Sequence, residues 1–204
     1  MIERIAAYIT DWQIEKGNLQ EEIRAVYQYG YILMIEVFVN IFISLLLGIL
    51  SHRLIEVMVF LIFFIPLRGY AGGFHMKKAW QCIIVTNLMV LLAGIVSRSL
   101  SQAMPMLAWL VIEGLAVAVI VLLSPIDTSE KPLDNAEKNH FGRKARRICV
   151  LEMILNMFLL ACGLLKVACI GMLAHGVLAV MLGIVVSEKL YFENSITGVK
   201  RHKM

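Results

Sequence analysis

Six apolar runs separated by short charged segments constrain this chain more than any other feature. They cover residues 31–50, 53–67, 82–97, 104–123, 148–165 and 167–187. A helix needs about 20 apolar residues to cross the roughly 30 Å hydrocarbon core of a bilayer, and the runs meet or approach that length. The expected fold is an all-α membrane protein with six transmembrane helices. The second and third runs are short and are expected to lean on flanking residues or on local bilayer thinning. Composition agrees, because 60% of residues are hydrophobic whereas soluble domains average about 45–50% apolar residues.

Basic side chains set the orientation. The segments on the N-terminal side of the bilayer hold 16 Lys and Arg residues, from Arg4 to Lys203, and the opposite turns hold only Arg53, Arg98 and Lys166. Cytoplasmic loops are enriched in Lys and Arg, so both termini and the segment 68–82 are expected to face the cytoplasm. The net charge of +4 therefore reports topology, and no nucleic-acid partner is expected. The first 30 residues carry eight charged side chains, among them Glu3, Arg4, Asp11 and Arg24. They offer no uninterrupted apolar core of the kind a cleavable leader needs.

Three regions follow. Residues 1–30 read as two short amphipathic helices. Ile2, Ile5, Ala6 and Ile9 recur at helical spacing in the first, and Asn18 with Glu21 resembles a capping box opening the second. Such helices would lie on the cytoplasmic leaflet, with a small cytosolic cap as the alternative. Residues 31–187 are the six-span domain, and 188–204 a basic cytoplasmic tail. The longest polar loop, 124–147, opens SPIDTSEKPLD and closes on the basic run GRKARR, which suits anchoring to anionic membrane lipids.

Residues 68–82 read RGYAGGFHMKKAWQC and place a histidine and a cysteine seven positions apart. A cysteine attacks as its thiolate and needs a base or positive potential nearby. On one continuous helix His75 and Cys82 would stand about 10 Å apart along the axis, beyond hydrogen-bond reach. The pair meets only if the chain bends, and Gly72-Gly73 supplies a place to bend. The expected arrangement is a loop over 70–75 and a helix starting near 76–79. Cys82 would then lie in its first turns, with Lys77 and Lys78 adding positive potential. Taken singly, a buried small Cys82 and an interfacial His75 would be unremarkable. The four cysteines form no CxxC pair and no zinc signature, so no metal or cofactor is expected.

The segment resembles the signature of the accessory gene regulator B (AgrB) family, membrane cysteine endopeptidases that process quorum-sensing propeptides. The matching positions are Arg68, Gly72, Gly73, His75 and Cys82, with Lys131-Pro132 matching a Lys-Pro element in the long cytoplasmic loop. Length, multiple spans and the basic loop agree as well. The resemblance implies a location in the bacterial cell membrane and an AgrD-like propeptide substrate with an acidic C-terminal tail. Cys82 would be the nucleophile and His75 its base. The tail would be cleaved through an acyl-enzyme thioester, and the signal peptide would close into a thiolactone or lactone. A homodimer is left open.

Several residues carry two readings. Arg68, Lys77 and Lys78 suit an acidic tail by charge, or Arg68 snorkels from the end of its span. Asp127 either orients His75 or serves its own turn. Cys149 is the competing thiol, with only His140 near it in sequence. Glu113 and His175 fall at similar depth inside their spans, with Asn40 and Asn156 nearby, and either line a chamber or bond between helices. Glu36, Glu56 and Glu152 sit nearer span ends, where local pairing suffices. The alternative function is a small transporter or channel that uses Glu113 and His175. A scaffold recruiting a cytosolic partner through the basic loop is a third reading.

Overall fold

The computed structural model describes residues 2–72, 79–126 and 133–201, with side chains for all of these except 79 and 189–201. Seven α-helices follow in order: α1 (Ile2–Glu15), α2 (Arg24–Leu50), α3 (Leu54–Ala71), α4 (Ala79–Ala103), α5 (Met106–Leu123), α6 (Asn135–Ala161) and α7 (Leu165–Arg201). The described residues contain no strand. Among the described residues, five helical stretches are long and apolar enough to cross a bilayer: Glu21–Leu50, Leu54–Ala71, Trp80–Ala103, Met106–Leu123 and Leu165–Glu188.

The fifth expected span differs. Helix α6 ends at Ala161, because Gly163 takes φ +75° and closes a C-terminal turn. Leu164 N–H donates to Leu159 O at 2.9 Å and Gly163 N–H to Leu160 O at 3.0 Å, the pattern by which a left-handed glycine stops a helix. The basic residues Lys144, Arg146 and Arg147 occupy the middle of α6. Its apolar portion is therefore confined to 148–161, short of a full span. Its start is strongly specified: Asp134 accepts from Glu137 N–H at 2.6 Å, and Glu137 accepts from Asp134 N–H at 3.1 Å, a reciprocal capping box.

The N-terminal region also differs from expectation. Helix α1 is a single amphipathic element that stops at a glycine turn, Gly17 at φ +71°. It buries Ala6 and Thr10, leaves Tyr8 and Trp12 exposed and packs on α2. The second short helix expected after Asn18 is instead the start of the first span. A 3₁₀ turn, Glu21–Ile23, runs directly into α2, and its N-cap, Gln20, makes no side-chain capping bond. Arg24 joins the two helices through an ion pair to Asp11 at 2.6 Å, which is half exposed and so contributes little stability.

Helix α7 is the hub, packed against α3, α4, α5 and α6. Its Leu178, Leu182 and Val185 meet Val57, Phe60, Phe64 and Leu67 of α3 in one buried cluster. Lipid tails are as apolar as leucine, so close packing and interhelical hydrogen bonds hold such a bundle. Both occur. Gly48 of α2 admits Val57 of α3, leaving only 3.2 Å to where a Cβ would stand. Between α2 and α4, Ser44 Oγ donates to Asn87 Oδ1 at 2.8 Å and Asn87 Nδ2 donates to Asn40 Oδ1 at 3.1 Å.

Candidate active site

The last turn of α3 and the first turn of α4 bring Arg68 and Cys82 together. Arg68 Nη2 lies 3.9 Å from Cys82 Sγ. Its guanidinium also contacts Met181 Sδ of α7 at 3.2 Å and stands 5.5 Å from the centroid of the Phe64 ring. The side chain is thus directed inward between α3, α4 and α7. Cys82 is half-buried, Cys149 and Cys169 are buried, and Cys162 is exposed in the α6–α7 turn. Cys149, the competing thiol, packs in the main core where no peptide can reach it. Cys82 combines partial access with a neighbouring cation, Arg68.

Helix α3 runs further than the sequence suggests. Tyr70, expected in a loop, is helical, and α3 ends at Ala71. Gly72 ends it at φ +83°, and a Cβ there would stand 2.6 Å from the Ile126 carbonyl oxygen. Ile126 N–H in turn donates to Ala71 O at 3.1 Å. The chain leaving α5 is therefore docked on the end of α3. The same chain is held from the other side by α6, where a Cβ on Gly142 would stand 2.9 Å from Pro125 Cδ. Tyr70 completes the contact, its ring 6.0 Å from that of Phe141 and 5.1 Å from Lys144 Nζ. Asp127 follows Ile126 directly in sequence, and Gly73 follows Gly72, so two sequence elements that chemistry would bring together leave one junction.

Gly73, His75, Lys77, Lys78, Asp127, Lys131 and Pro132 lie outside the described residues. The geometry above is thus the frame on either side of the His75 segment.

A second polar constellation lies apart from this junction. His175 Nδ1 is 2.9 Å from Glu113 Oε1, and Nε2 is 3.0 Å from Glu152 Oε2. Asn156 Nδ2 donates to Glu113 Oε1 at 3.0 Å. Glu113 and His175 share a depth as expected, but Asn40 belongs to the α2–α4 link instead. Glu152, read as a span-end residue, is a full member of the cluster. Its spacing of four from Asn156 on one helix face was the available signal.

These features define a polytopic helical membrane protein with a cation-flanked thiol where two helices meet. The family model of accessory gene regulator B matches residues 2–186. The chain belongs to the AgrB family, membrane proteins of quorum sensing that process autoinducer propeptides. It is 26% identical over 149 residues to "Putative AgrB-like protein 2" of Clostridium perfringens, covering 71% of this chain and 70% of that one. Protein FsrB of Enterococcus faecalis is 25% identical over 113 residues, covering 55% and 47% respectively. No solved structure matches the chain significantly.

Proposed function

We propose that this protein is a membrane cysteine endopeptidase that removes the C-terminal tail of an AgrD-like propeptide and cyclises the signal peptide. The observation that carries the reading is the half-buried Cys82 thiol beside Arg68, with the Gly-Gly-x-His element between the two in sequence. His75 takes the thiol proton as Cys82 Sγ attacks the scissile carbonyl, then gives it to the amine of the departing tail. The Arg68 guanidinium keeps a fixed positive charge beside the sulfur as negative charge develops there. The sulfur contact favours this role over snorkelling, while Lys77, Lys78 and Lys131 suit the acidic tail by charge. The docked position of Ile126 supports Asp127 as the residue that orients His75, with Pro132 stiffening the same loop.

The peptide remains bound as a thioester. Its own thiol or hydroxyl attacks that carbonyl, forming the ring ester bond, breaking the bond to Cys82 and returning a proton to the enzyme thiolate through His75. With a peptide thiol, one thioester replaces another and the step is close to balanced. Excluding water favours closure over hydrolysis. Six crossings with both termini in the cytoplasm complete the reading, α6 supplying a short fifth span and the 16 to 3 division of basic residues setting the side. Processing of a purified propeptide by the reconstituted protein tests it: wild type should release the tail and a cyclic product, and Cys82→Ala should release neither.

A further inference from the structure

The basic run GRKARR has no part in the proposed peptide chemistry, and its place on α6 gives it a definite direction. Helix α6 packs on α3, α5 and α7 through one face, on which Gly142, Ala145, Cys149, Glu152 and Asn156 are buried. Arg143, Arg146 and Arg147 fall outside that face and are exposed. Val150, Leu151, Ile154 and Phe158 are exposed too, Leu151 by 65% and Phe158 by 62%. Arg147 precedes Val150, Leu151 and Ile154 by three, four and seven residues, spacings that share one side of a helix. Arg143 lies one turn before Arg147 on the same side. One outward stripe therefore changes from cationic to apolar between Arg147 and Val150. Lys144, by contrast, turns toward α3, its Nζ 5.1 Å from the centroid of the Tyr70 ring.

Length fixes the depth of that change. Helix α6 ends at Ala161; from there the helix rises about 21 Å to Arg147 and about 27 Å to Arg143. The hydrocarbon core is roughly 30 Å thick. A helix this short draws its basic turn down to the boundary of hydrocarbon and headgroups, through local thinning and extension of the long side chains. There the guanidinium groups meet phosphate oxygens. Among the described residues none of the three arginines is in an ion pair with a carboxylate, and Arg143 Nε donates to Asn139 O at 3.1 Å. The planar fork of a guanidinium matches two oxygens of a phosphate. A zwitterionic headgroup carries its own cation, so a lipid of net negative charge is the better partner. The arginines also face away from α3, and hence from the junction that holds Cys82, which argues against a peptide substrate as the occupant.

We propose that the outward face of α6 at Arg143, Arg146 and Arg147 is a binding site for the headgroup phosphates of anionic phospholipids. The inference rests on the reading of α6 as a short fifth span and is independent of the peptide chemistry. The same turn of α6 carries Gly142, which admits Pro125, and Phe141, whose ring lies 6.0 Å from that of Tyr70. Lipid bound on the outward face thus fixes the depth of the helix that clasps the end of α3.

Spin-labelled lipids in phosphatidylcholine vesicles that carry the full-length protein test this. The fraction immobilised at the protein should be larger for labelled phosphatidylglycerol than for labelled phosphatidylcholine. Changing Arg143, Arg146 and Arg147 together to glutamine should remove most of that preference, since each cation at an anionic surface is worth about a fivefold change. Changing the same three to lysine should keep it, and Arg147→Gln alone should lower it in part. A nitroxide attached through Ile154→Cys should be relaxed by oxygen and not by a water-soluble nickel chelate. Nickel access at position 154 would overturn the short-span reading and the proposal with it. Oxygen access there, with lipid preference unchanged in the triple glutamine variant or in Arg147→Gln, would overturn the proposal alone. Loss of polyglutamate binding in that variant, with lipid preference intact, would give the face to an acidic peptide instead.

Discussion

Arg68 and Cys82 are fourteen residues apart in sequence and meet with Nη2 3.9 Å from Sγ, across the end of one helix and the start of the next. In the proposed mechanism a guanidinium so placed stabilises negative charge on sulfur and on the tetrahedral adduct that follows. Arg68→Gln should therefore lower kcat for tail release by on the order of 10²-fold, as loss of one fixed donor does in related chemistry. It should also slow iodoacetamide alkylation of Cys82. Unchanged alkylation with only a raised KM would assign Arg68 to substrate binding.

Cys82→Ala and His75→Ala should each bring cleavage below detection while the protein still assembles in membranes. The double variant should be little worse than either, because paired catalytic groups act as a unit. Cys149 is buried, so Cys149→Ser should keep activity. Loss of cleavage in Cys149→Ser with retention in Cys82→Ala would reverse the assignment of the two thiols.

Gly72 is under two constraints at once, a φ of +83° and the Ile126 carbonyl 2.6 Å from its would-be Cβ. Gly72→Ala should destabilise the protein by about 1–3 kcal/mol and, by undocking Ile126, reduce cleavage more than Tm alone explains. Gly69, one turn earlier, has open space around its would-be Cβ. Gly69→Ala should leave both quantities close to wild type, so thermal melts and tail-release assays on the two variants separate the cases.

Topology is open to labelling. Gln102 is exposed near the end of α4, on the side opposite Cys82. A cysteine introduced at Gln102 should react with a membrane-impermeant maleimide from outside the cell, and Cys82 only from the cytoplasmic side. Reaction at position 102 solely from inside would contradict the orientation drawn from basic residues.

The apolar runs located the five helices long enough to cross a bilayer, and placed the end of α2, the start of α3 and both ends of α5 to within two residues. They misjudged places where something other than hydropathy set the boundary. Gly163 stops α6 four residues before the apolar run does, and Asp134 with Glu137 starts it well before the run begins. Helix α3 continues through Tyr70 because its hydrogen bonds do, up to Arg68 O accepting from Gly72 N–H at 3.1 Å. The motif itself was readable as chemistry, and Arg68 as one of its members. That Arg68 faces the sulfur, and that Ile126 docks on Gly72, depends on how α3, α4 and the chain after α5 pack, which no local pattern encodes. Glu113 and His175 could be paired by depth alone, whereas Asn40 shares that depth yet faces α4, a matter of helix rotation rather than of position along the helix.

The central claim is a covalent thioester on Cys82. A propeptide whose ring-forming Cys or Ser is replaced by Ala cannot discharge the enzyme by cyclising. After one turnover with this substrate, intact-mass and peptide mass spectrometry of the purified enzyme should find the leader-plus-signal fragment attached at Cys82. The tail should be released stoichiometrically, and the adduct removed by neutral hydroxylamine. Rapid multiple turnover to a linear peptide acid with no adduct on the enzyme would contradict the account and leave a simple hydrolase in its place.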